Sequence, residues 1–277
     1  MARISTHKYN LHEKAVSLLA KTALTLDEKH FVLEQFHEAA NNNNGKAGAF
    51  FTPLSLAQEF VVHAPTPCKK GAVRILDLCA GIGALSFCMA RAYEWSASES
   101  CELVCVELNP DYVAVGKKVV PEATWVQGDI NDIDLLLSLG KFDFAISNPP
   151  FGAVATFSNR EKLSYTGAMA EYKVIELASL VADLGAFILP QRSCDFKYSG
   201  VPHFERVRCE ALATFTAQTG ITLENTNLGE TQEFQHDWKS AVPVVEMVQT
   251  DFSTATTSRQ PHTGPIKAEV AQMLELF

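Results

Sequence analysis

The stretch VRILDLCAGIGALSF, residues 73–87, is an apolar run that passes through two glycines into a helical pattern. A short apolar run followed by helical spacing predicts a buried strand and then a helix. Gly81 and Gly83 let the backbone turn tightly between the two, so that a ligand can approach bare backbone at the positive end of the helix. Asp77 ends the strand. The stretch therefore predicts a strand, a ligand-binding turn and a helix.

The ligand of this turn is not fixed by the glycines alone. A glycine-rich turn between a strand and a helix is compatible with NAD, FAD or S-adenosylmethionine, or with a tight turn that binds nothing. The third glycine of the dinucleotide fingerprint would fall at position 86, which is serine. This difference argues against NAD.

Short apolar runs alternate with helical patterns from Val73 onward, which is typical of a parallel sheet with crossover helices. The predicted strands are VRILDL, ELVCVE, ATWVQ, FDFAIS, AFILP, GITLENT and VPVVEMV, with helices at about 83–94, 110–119, 132–139 and 167–183. Asn109 with Pro110 predicts a helix start, and Gly140 and Gly185 predict helix ends. A short polar loop joins the last two strands, so we expect them to pair antiparallel. The fold class is α/β, a doubly wound sheet with its ligands at the carboxyl ends of the strands.

Helices are also predicted before the sheet, within residues 10–40. Thr25 and Glu28 have capping-box spacing at the start of the second of them. The run NNNNG at 41–45 predicts a C-cap followed by a linker. We therefore divide the chain into an N-terminal helical extension at 1–45, the α/β domain at 46–250 and a C-terminal tail at 251–277.

Composition limits the class of protein. No apolar run approaches the roughly 20 residues of a membrane span, and the first residues lack the apolar core of a secretory signal, so we expect a cytoplasmic protein. The net charge of −9 would repel a polyanion if it were evenly spread, so a nucleic-acid site would need a local basic patch. The seven cysteines form no CxxC pair and the eight histidines form no HExxH. We predict reduced thiols and no metal.

Acidic residues also end the two strands that follow Asp77. Glu107 closes the second strand, where it would accept hydrogen bonds from both hydroxyls of a ribose. Asp129 closes the third strand, where it would accept from the exocyclic amine of an adenine or, alternatively, cap the helix at 132–139. The carboxyl ends of parallel strands share one edge of the sheet, so these residues and the glycine turn should lie together.

The fourth strand ends in Asn148-Pro149-Pro150-Phe151. The prolines fix φ and donate no backbone hydrogen bond, so this corner should be stiff. If the Asn148 side-chain oxygen and the Pro149 carbonyl accept both hydrogens of an exocyclic amine, its lone pair can attack a methyl sulfonium. Phe151 would stack on the aromatic ring of the substrate. The alternative is a plain break between strand and loop, with Phe151 in the core.

Together these motifs resemble the S-adenosylmethionine-dependent DNA methyltransferases that modify the amino group of adenine, over about residues 46–250. The FTP segment, Phe51-Thr52-Pro53, precedes the glycine turn, and NPPF follows it. This order resembles the gamma order of such enzymes. The resemblance implies a Rossmann-like methyltransferase fold with an antiparallel last strand, S-adenosylmethionine as the cofactor, DNA as the partner, and flipping of the base before transfer.

The resemblance also implies roles for individual residues. In AFFTPLSLAQEF, residues 49–60, the FTP segment would line the methionine end of the cofactor, while Thr52 and Pro53 would also start a helix. The implied catalytic residues are Asn148, Pro149, Pro150 and Phe151. The implied cofactor-binding residues are Phe50, Phe51, Thr52, Pro53, Asp77, Cys79, Ala80, Gly81, Gly83, Glu107, Leu108, Asp129, Ile130 and Asn148.

Two features depart from the resembled family. Cys79 replaces the first glycine of the cofactor pattern and would narrow the pocket. Only residues 251–277 follow the last predicted strand, so we expect short or degenerate recognition from loops. The loop residues expected to bind substrate are Arg160, Lys162 and Arg192, with Phe234 or Trp238 as an aromatic wall opposite NPPF. Arginine and lysine on such loops would contact phosphates without reading bases, or they would simply be solvated.

Two other functions stay open at this point. One is the same chemistry on an RNA adenine or on a protein glutamine, whose carboxamide would fit the same acceptors and suit the acidic net charge better. The other is a non-catalytic partner subunit that binds the cofactor and docks through its N-terminal helices. The FTP segment ranks DNA first.

Overall fold

The structure, a computed structural model, describes residues 4–40, 50–64, 71–94, 100–154, 163–226, 229–240 and 242–253. Its strands are β1 (Val73–Leu78), β2 (Cys101–Glu107), β3 (Thr124–Gln127), β4 (Phe142–Ser147), β5 (Ala182–Pro190), β6 (Phe196–Lys197), β7 (Glu205–Arg206), β8 (Glu224–Asn225) and β9 (Val245–Asp251). Its α-helices are α1 (Thr6–Leu18), α2 (Leu26–Gln35), α3 (Leu54–His63), α4 (Ala84–Glu94), α5 (Pro110–Val119), α6 (Ile133–Ser138), α7 (Ala170–Ala178) and α8 (Glu210–Thr219).

The described residues form a seven-stranded sheet in the order β3-β2-β1-β4-β5-β9-β8. Strands β1 to β5 pair in parallel, and β9 pairs antiparallel with both β5 and β8. The chain reverses its direction of winding between β1 and β4, where crevices form at the carboxyl ends of strands. The predicted doubly wound fold is confirmed, including the antiparallel pairing of the last two strands.

The sheet is covered on both faces, as its apolar strands require. Ile75 packs into one core cluster and its neighbour Leu76 into the other, because successive side chains of a strand point to opposite faces. The first cluster includes Phe60 of α3 and Phe87 of α4, and the second includes Tyr172 of α7.

The two predicted N-terminal helices are confirmed, and so is the capping box of Thr25 and Glu28. Helix α2 ends earlier than predicted because Phe36 leaves helical geometry and packs its ring 4.8 Å from that of His12. Val32 of α2 lies in the same core cluster as Phe60. The predicted linker at 41–45 lies outside the described residues, and the division at residue 45 stays a prediction.

Helix α5 starts as predicted, since the Asn109 side chain accepts from the backbone N–H of Asp111 at 2.9 Å. Gly140 follows α6 with φ +82°, which confirms its role as a helix end. The prediction for Gly185 was wrong, because that residue lies inside β5. A Cβ there would lie 2.6 Å from the Phe187 ring, so the glycine makes room for aromatic packing.

The region after β5 differs most from prediction. The predicted strand GITLENT pairs only at Glu224–Asn225, while α8 and the hairpin of β6 with β7 were not predicted. No helix within the described residues is long and apolar enough to cross a membrane.

Candidate active site

The glycine turn between β1 and α4 requires unusual backbone conformations. Cys79, Gly81 and Gly83 have φ values of +58°, +57° and +89°. A non-glycine residue in this region costs about 1 kcal/mol, so Cys79 is accommodated with backbone strain. A Cβ added at Gly81 would lie 3.3 Å from the Phe51 ring. The turn therefore packs directly against the FTP segment.

Asp77, at the end of β1, is 1% exposed and accepts a hydrogen bond from the Ser86 hydroxyl at 2.7 Å. Burial raises the pKa of Asp77 to about 7, although the hydrogen bonds from Ser86 oppose the shift. The serine in place of a third glycine thus binds the carboxyl group that ends the first strand.

Glu107, at the end of β2, connects that strand to the glycine turn. Its Oε2 accepts from the backbone N–H of Gly81 at 2.9 Å, and its Oε1 accepts from that of Asn109 at 2.8 Å. Burial raises the pKa of Glu107, while these backbone hydrogen bonds lower it. Leu108, the next residue, is 50% exposed, an apolar surface beside a carboxylate at the sheet edge.

Asp129, after β3, is partly exposed, and its Oδ1 accepts from the backbone and side-chain nitrogens of Asn131 at 2.9 and 2.8 Å. Its alternative role as a helix cap is wrong. Asp132 caps α6 instead, by accepting from the backbone N–H of Leu135 at 3.1 Å. Ile130 is buried beside Asp129.

The three carboxylates converge on one side chain. Burial and then the charges of Glu107, Asp77 and Asp129 raise the pKa of the Cys79 thiol well above its ordinary value. A thiol with a raised pKa stays protonated and is a poor nucleophile. Cys79 therefore lies between the acidic strand ends as a neutral residue of the turn.

Asn148, at the end of β4, binds described residues through only one side of its carboxamide. Its Nδ2 donates to the Phe50 carbonyl at 3.1 Å and to Thr52 Oγ1 at 2.9 Å. A carbonyl can only accept, so the nitrogen must face Phe50 and the oxygen must face away. Asn148 Oδ1 is buried and has no hydrogen-bond partner among the described residues. Such an unsatisfied acceptor costs about 1–3 kcal/mol and calls for an explanation, for which a ligand group is one candidate.

The same contact corrects a prediction about Thr52. Pro53, not Thr52, occupies the N-cap position of α3, and no side chain in the described part of the protein caps that helix. The Thr52 hydroxyl accepts from Asn148 instead, so the start of α3 is connected to the end of β4.

Aromatic rings surround this corner. Phe50 and Phe151 are both partly buried, with ring centroids 6.5 Å apart and planes tilted by 36°. The Phe51 ring packs edge-on against Tyr112 at 4.8 Å. Pro149 is buried between the strand and the loop.

The residues expected to bind substrate have different surroundings. Arg192 is exposed, and its Nη2 would lie 3.3 Å from a Cβ added at Gly152, next to Phe151. Phe234 is partly buried in a 3₁₀ helix at Gln232–Asp237. Trp238 is 5% exposed and packs in the first core cluster, where it contributes to the core. Arg160 and Lys162 lie outside the described residues.

Sequence reasoning missed a carboxylate that supports the Arg192 loop. Glu246 of β9 is fully buried and accepts from Gln191 Nε2 at 2.7 Å and from the backbone N–H groups of Tyr198 and Ser199 at 2.9 and 3.1 Å. A glutamate within the apolar run VPVVEMV was the available signal.

Lys239 was also missed. Its Nζ donates to the carbonyls of Leu33 and Phe36 at 2.6 and 2.9 Å and lies 5.4 Å from the centroid of the Phe51 ring. Burial lowers the pKa of Lys239 to about 8. Nothing in the polar sequence around it indicates this role.

The described residues contain no group of three or more histidine, cysteine, aspartate or glutamate side chains arranged to hold a metal ion.

Comparisons with known proteins agree with this fold. Residues 57–162 match the family model of the methyltransferase small domain. No curated protein matches the chain. A solved structure described as a class I S-adenosylmethionine-dependent methyltransferase from Listeria monocytogenes is 14% identical, with 94% of this chain and 84% of that chain covered and a TM-score of 0.60.

A second solved structure is the methyltransferase subunit of a type I restriction-modification system from Streptococcus thermophilus, which is 14% identical with a TM-score of 0.52. The match covers 81% of this chain and 48% of that subunit, so the chain spans about half of its length. At these identities the likeness shows the fold. The chain therefore has the fold of S-adenosylmethionine-dependent methyltransferases, and S-adenosylmethionine is the cofactor that the family model and the fold support.

Proposed function

We propose that the protein transfers a methyl group from S-adenosylmethionine to the exocyclic amino group of adenine in DNA. The observation that carries this proposal is Asn148 Oδ1, a buried acceptor without a partner among the described residues. Phe50 and Thr52 bind the nitrogen of the same carboxamide and so fix the direction of the oxygen. A pre-oriented acceptor is what an amine substrate with two hydrogens needs.

The residues at the sheet edge fit the cofactor. Glu107 has the carboxylate that would accept from the ribose hydroxyls, and backbone N–H groups of Gly81 and Asn109 hold its two oxygens at the edge of the sheet. Asp129 would accept from the adenine amine, with Leu108 and Ile130 against the ring faces. Phe51 and the glycine turn would contact the methionine end. When bound there, the cofactor supplies a methyl group on a positively charged sulfur.

The corner after β4 would activate the substrate. Asn148 Oδ1 accepts one hydrogen of the amine and the Pro149 carbonyl accepts the other, which withdraws the nitrogen lone pair from the ring. Phe151, with Phe50 beside it, stacks on the base and fixes the angle of attack. Transfer would form the carbon–nitrogen bond as the methyl group leaves the sulfur, and the methylated nitrogen would then lose a proton to water. No side chain needs to act as a general base before transfer.

DNA is the preferred substrate for three reasons. The FTP segment and NPPF lie against each other through Asn148, as their resemblance to DNA adenine methyltransferases implies. A structural neighbour is a methyltransferase subunit of a restriction-modification system. Arg192 is exposed beside the corner, where it would bind a backbone phosphate. A base would have to leave the duplex to reach a partly buried asparagine, and Arg160, Lys162, Phe234 and Trp238 stay predicted contacts.

A protein glutamine side chain is the second candidate, and a specific observation favours it. Two arginines of the loop after β5 are already paired, Arg206 with Asp195 at 3.0 Å and Arg208 with Glu210. These pairs reduce the positive charge available to a polyanion on a chain with net charge −9.

The direct test is transfer of label from methyl-labelled S-adenosylmethionine to duplex DNA, folded RNA and a protein extract, each incubated separately with the purified protein. We expect labelled DNA whose digest contains N6-methyladenine. Label in RNA or protein alone would contradict the DNA assignment. No label in any of the three, with cofactor binding still measurable by calorimetry, would contradict catalysis and favour the non-catalytic subunit.

A further inference from the structure

Helix α7 carries two carboxylates that methyl transfer does not use. Glu171 and Glu176 are 0% and 2% exposed. A buried carboxylate is stable only when donors surround it. Both residues have such donors, and the donors of Glu171 belong to the two segments that border the active site.

Glu171 binds the residue that follows the catalytic tetrapeptide and the residue that follows Arg192. Its Oε2 accepts from the backbone N–H of Gly152 at 2.7 Å, and its Oε1 accepts from the Ser193 hydroxyl at 2.8 Å. Gly152 directly follows Phe151, and Ser193 directly follows Arg192. One side chain therefore connects the stacking ring to the exposed guanidinium.

The surroundings of both contacts are well defined. The Gly152 carbonyl accepts from the backbone N–H of Ala170 at 2.8 Å, and the Ser193 carbonyl accepts from the Tyr172 hydroxyl at 2.7 Å. Gly152 has φ +80°, and a Cβ there would approach Arg192 Nη2 to 3.3 Å. The glycine thus allows the arginine to lie next to the tetrapeptide.

We propose that Glu171 is a positioning residue that sets the distance between the Phe151 ring and the Arg192 guanidinium. The pair then recognises two parts of one nucleic-acid strand, since Phe151 stacks on the flipped base while Arg192 binds a phosphate beside it. This inference rests on the proposed function and deepens it, because it assigns a phosphate contact to one arginine and the control of that contact to a buried carboxylate.

The salt dependence of duplex binding tests this proposal. Log K falls with log salt concentration, and each phosphate contact adds about 0.9 to the magnitude of this slope. R192A should therefore lower the magnitude of the slope by about one. Binding of a fluorescent adenine-containing duplex is measured by anisotropy over a range of sodium chloride concentrations with S-adenosylhomocysteine present. Glu171→Met should lower the slope by about the same amount, and E171M combined with R192A should lower it no further.

Two variants separate positioning from stability. Ser193→Ala removes only the bond between Glu171 and the Arg192 segment, so it should lower the slope while leaving the Gly152 contact intact. Glu176→Met is the matched control, since Glu176 is equally buried on the same helix but binds Ser164 and Tyr165. It should lower Tm. Any effect that it has on duplex binding should be independent of Arg192 and should therefore add to that of R192A.

If E171M and S193A lower Tm but keep the wild-type slope, or if their effects add to that of R192A, the inference is overturned. If E171M does not fold, S193A alone decides in the same way. A wild-type protein that binds S-adenosylhomocysteine but no duplex at any salt concentration would overturn the DNA assignment itself, and the inference with it. That result differs from a failure of Glu171 alone, which leaves wild-type duplex binding intact.

Discussion

The two walls of the proposed active site, named here for the cofactor and the substrate that we propose they bind, are built in different ways. The cofactor wall consists of consecutive strand ends, where the register of β1 with β2 and of β2 with β3 brings Asp77, Glu107 and Asp129 together. The substrate wall consists of loops whose shape depends on buried carboxylates far away in the sequence, Glu171 for Gly152 and Glu246 for the Arg192 loop. A site can therefore combine a wall fixed by local pattern with one fixed by long-range hydrogen bonds.

Asn148 lies where the two walls meet, so Asn148→Ala should have the largest effect on methyl transfer. Removal of one pre-oriented acceptor should lower kcat by about 10²- to 10³-fold, as loss of an electrostatic contact to the transition state does. Single-turnover methyl transfer would measure the loss, and calorimetry with S-adenosylhomocysteine should show that the cofactor still binds.

Thr52→Val is the matched control for Asn148. It removes one acceptor of the Asn148 Nδ2 group but leaves Oδ1 in place. We therefore expect the activation free energy of methyl transfer to rise by only about 1 kcal/mol, the value of one neutral hydrogen bond. Equal losses in the two variants would mean that Asn148 serves to connect β4 with α3 and does not bind the substrate amine.

Glu107→Gln should affect the cofactor wall alone. Hydrogen bonds to a charged group are worth about 1.5–3 kcal/mol, so the KM for S-adenosylmethionine should rise by about 10-fold or more. Steady-state kinetics at varied cofactor concentration would measure this change, and kcat at saturation and duplex affinity should stay close to wild type. A similar loss of duplex affinity would mean that Glu107 also supports the substrate wall, and the two walls would then not be separate.

Phe151→Ala should affect the substrate wall alone. Loss of stacking should weaken capture of the base by about 1–3 kcal/mol, seen as a higher KM for DNA with the cofactor KM unchanged. Phe151→Trp should retain most of the affinity, because it keeps an aromatic face. An unchanged KM in the alanine variant would show that Phe151 only packs against Phe50.

Asp77→Asn should change neither wall directly and should show its effect in the pH dependence of stability. The pKa of Asp77 is raised from 3.8 to about 7 in the folded state, so its contribution to the free energy of unfolding is present below pH 3.8 and is lost as pH rises through about 7. The asparagine does not titrate, so the variant should lose less stability across this interval. Urea unfolding of the cofactor-free protein at several pH values would test this, and identical profiles would show that Asp77 is not the titrating group.

The cofactor wall could be read from the sequence because its signals are local. The predicted strand FDFAIS coincides with Phe142–Ser147, and VRILDL coincides with Val73–Leu78. Strand ends in a parallel sheet share one edge, so the predicted acidic residues lie around Cys79 as expected.

The contacts outside the strand-end motifs could not be read because they join residues that are distant in the sequence. Thr52 has the residue type of a helix cap, yet its hydroxyl binds Asn148, 96 residues later. Gly185 has the pattern of a helix end, yet it lies inside β5, where a Cβ would approach the ring of the distant Phe252 to 2.9 Å. Nothing in the sequence marks Glu171, because its partners Gly152 and Ser193 lie 19 and 22 residues away along the chain.

Glu246 also makes the loop after β5 depend on a strand that is synthesised later. Ser199 lies 47 residues before the carboxylate that accepts its hydrogen bonds. Translation proceeds from the N-terminus, so β1 to β5 leave the ribosome before β9. A nascent chain arrested before residue 246 should already pair the cofactor-binding strands, while the loop after β5 still lacks its acceptor and waits for the last strand.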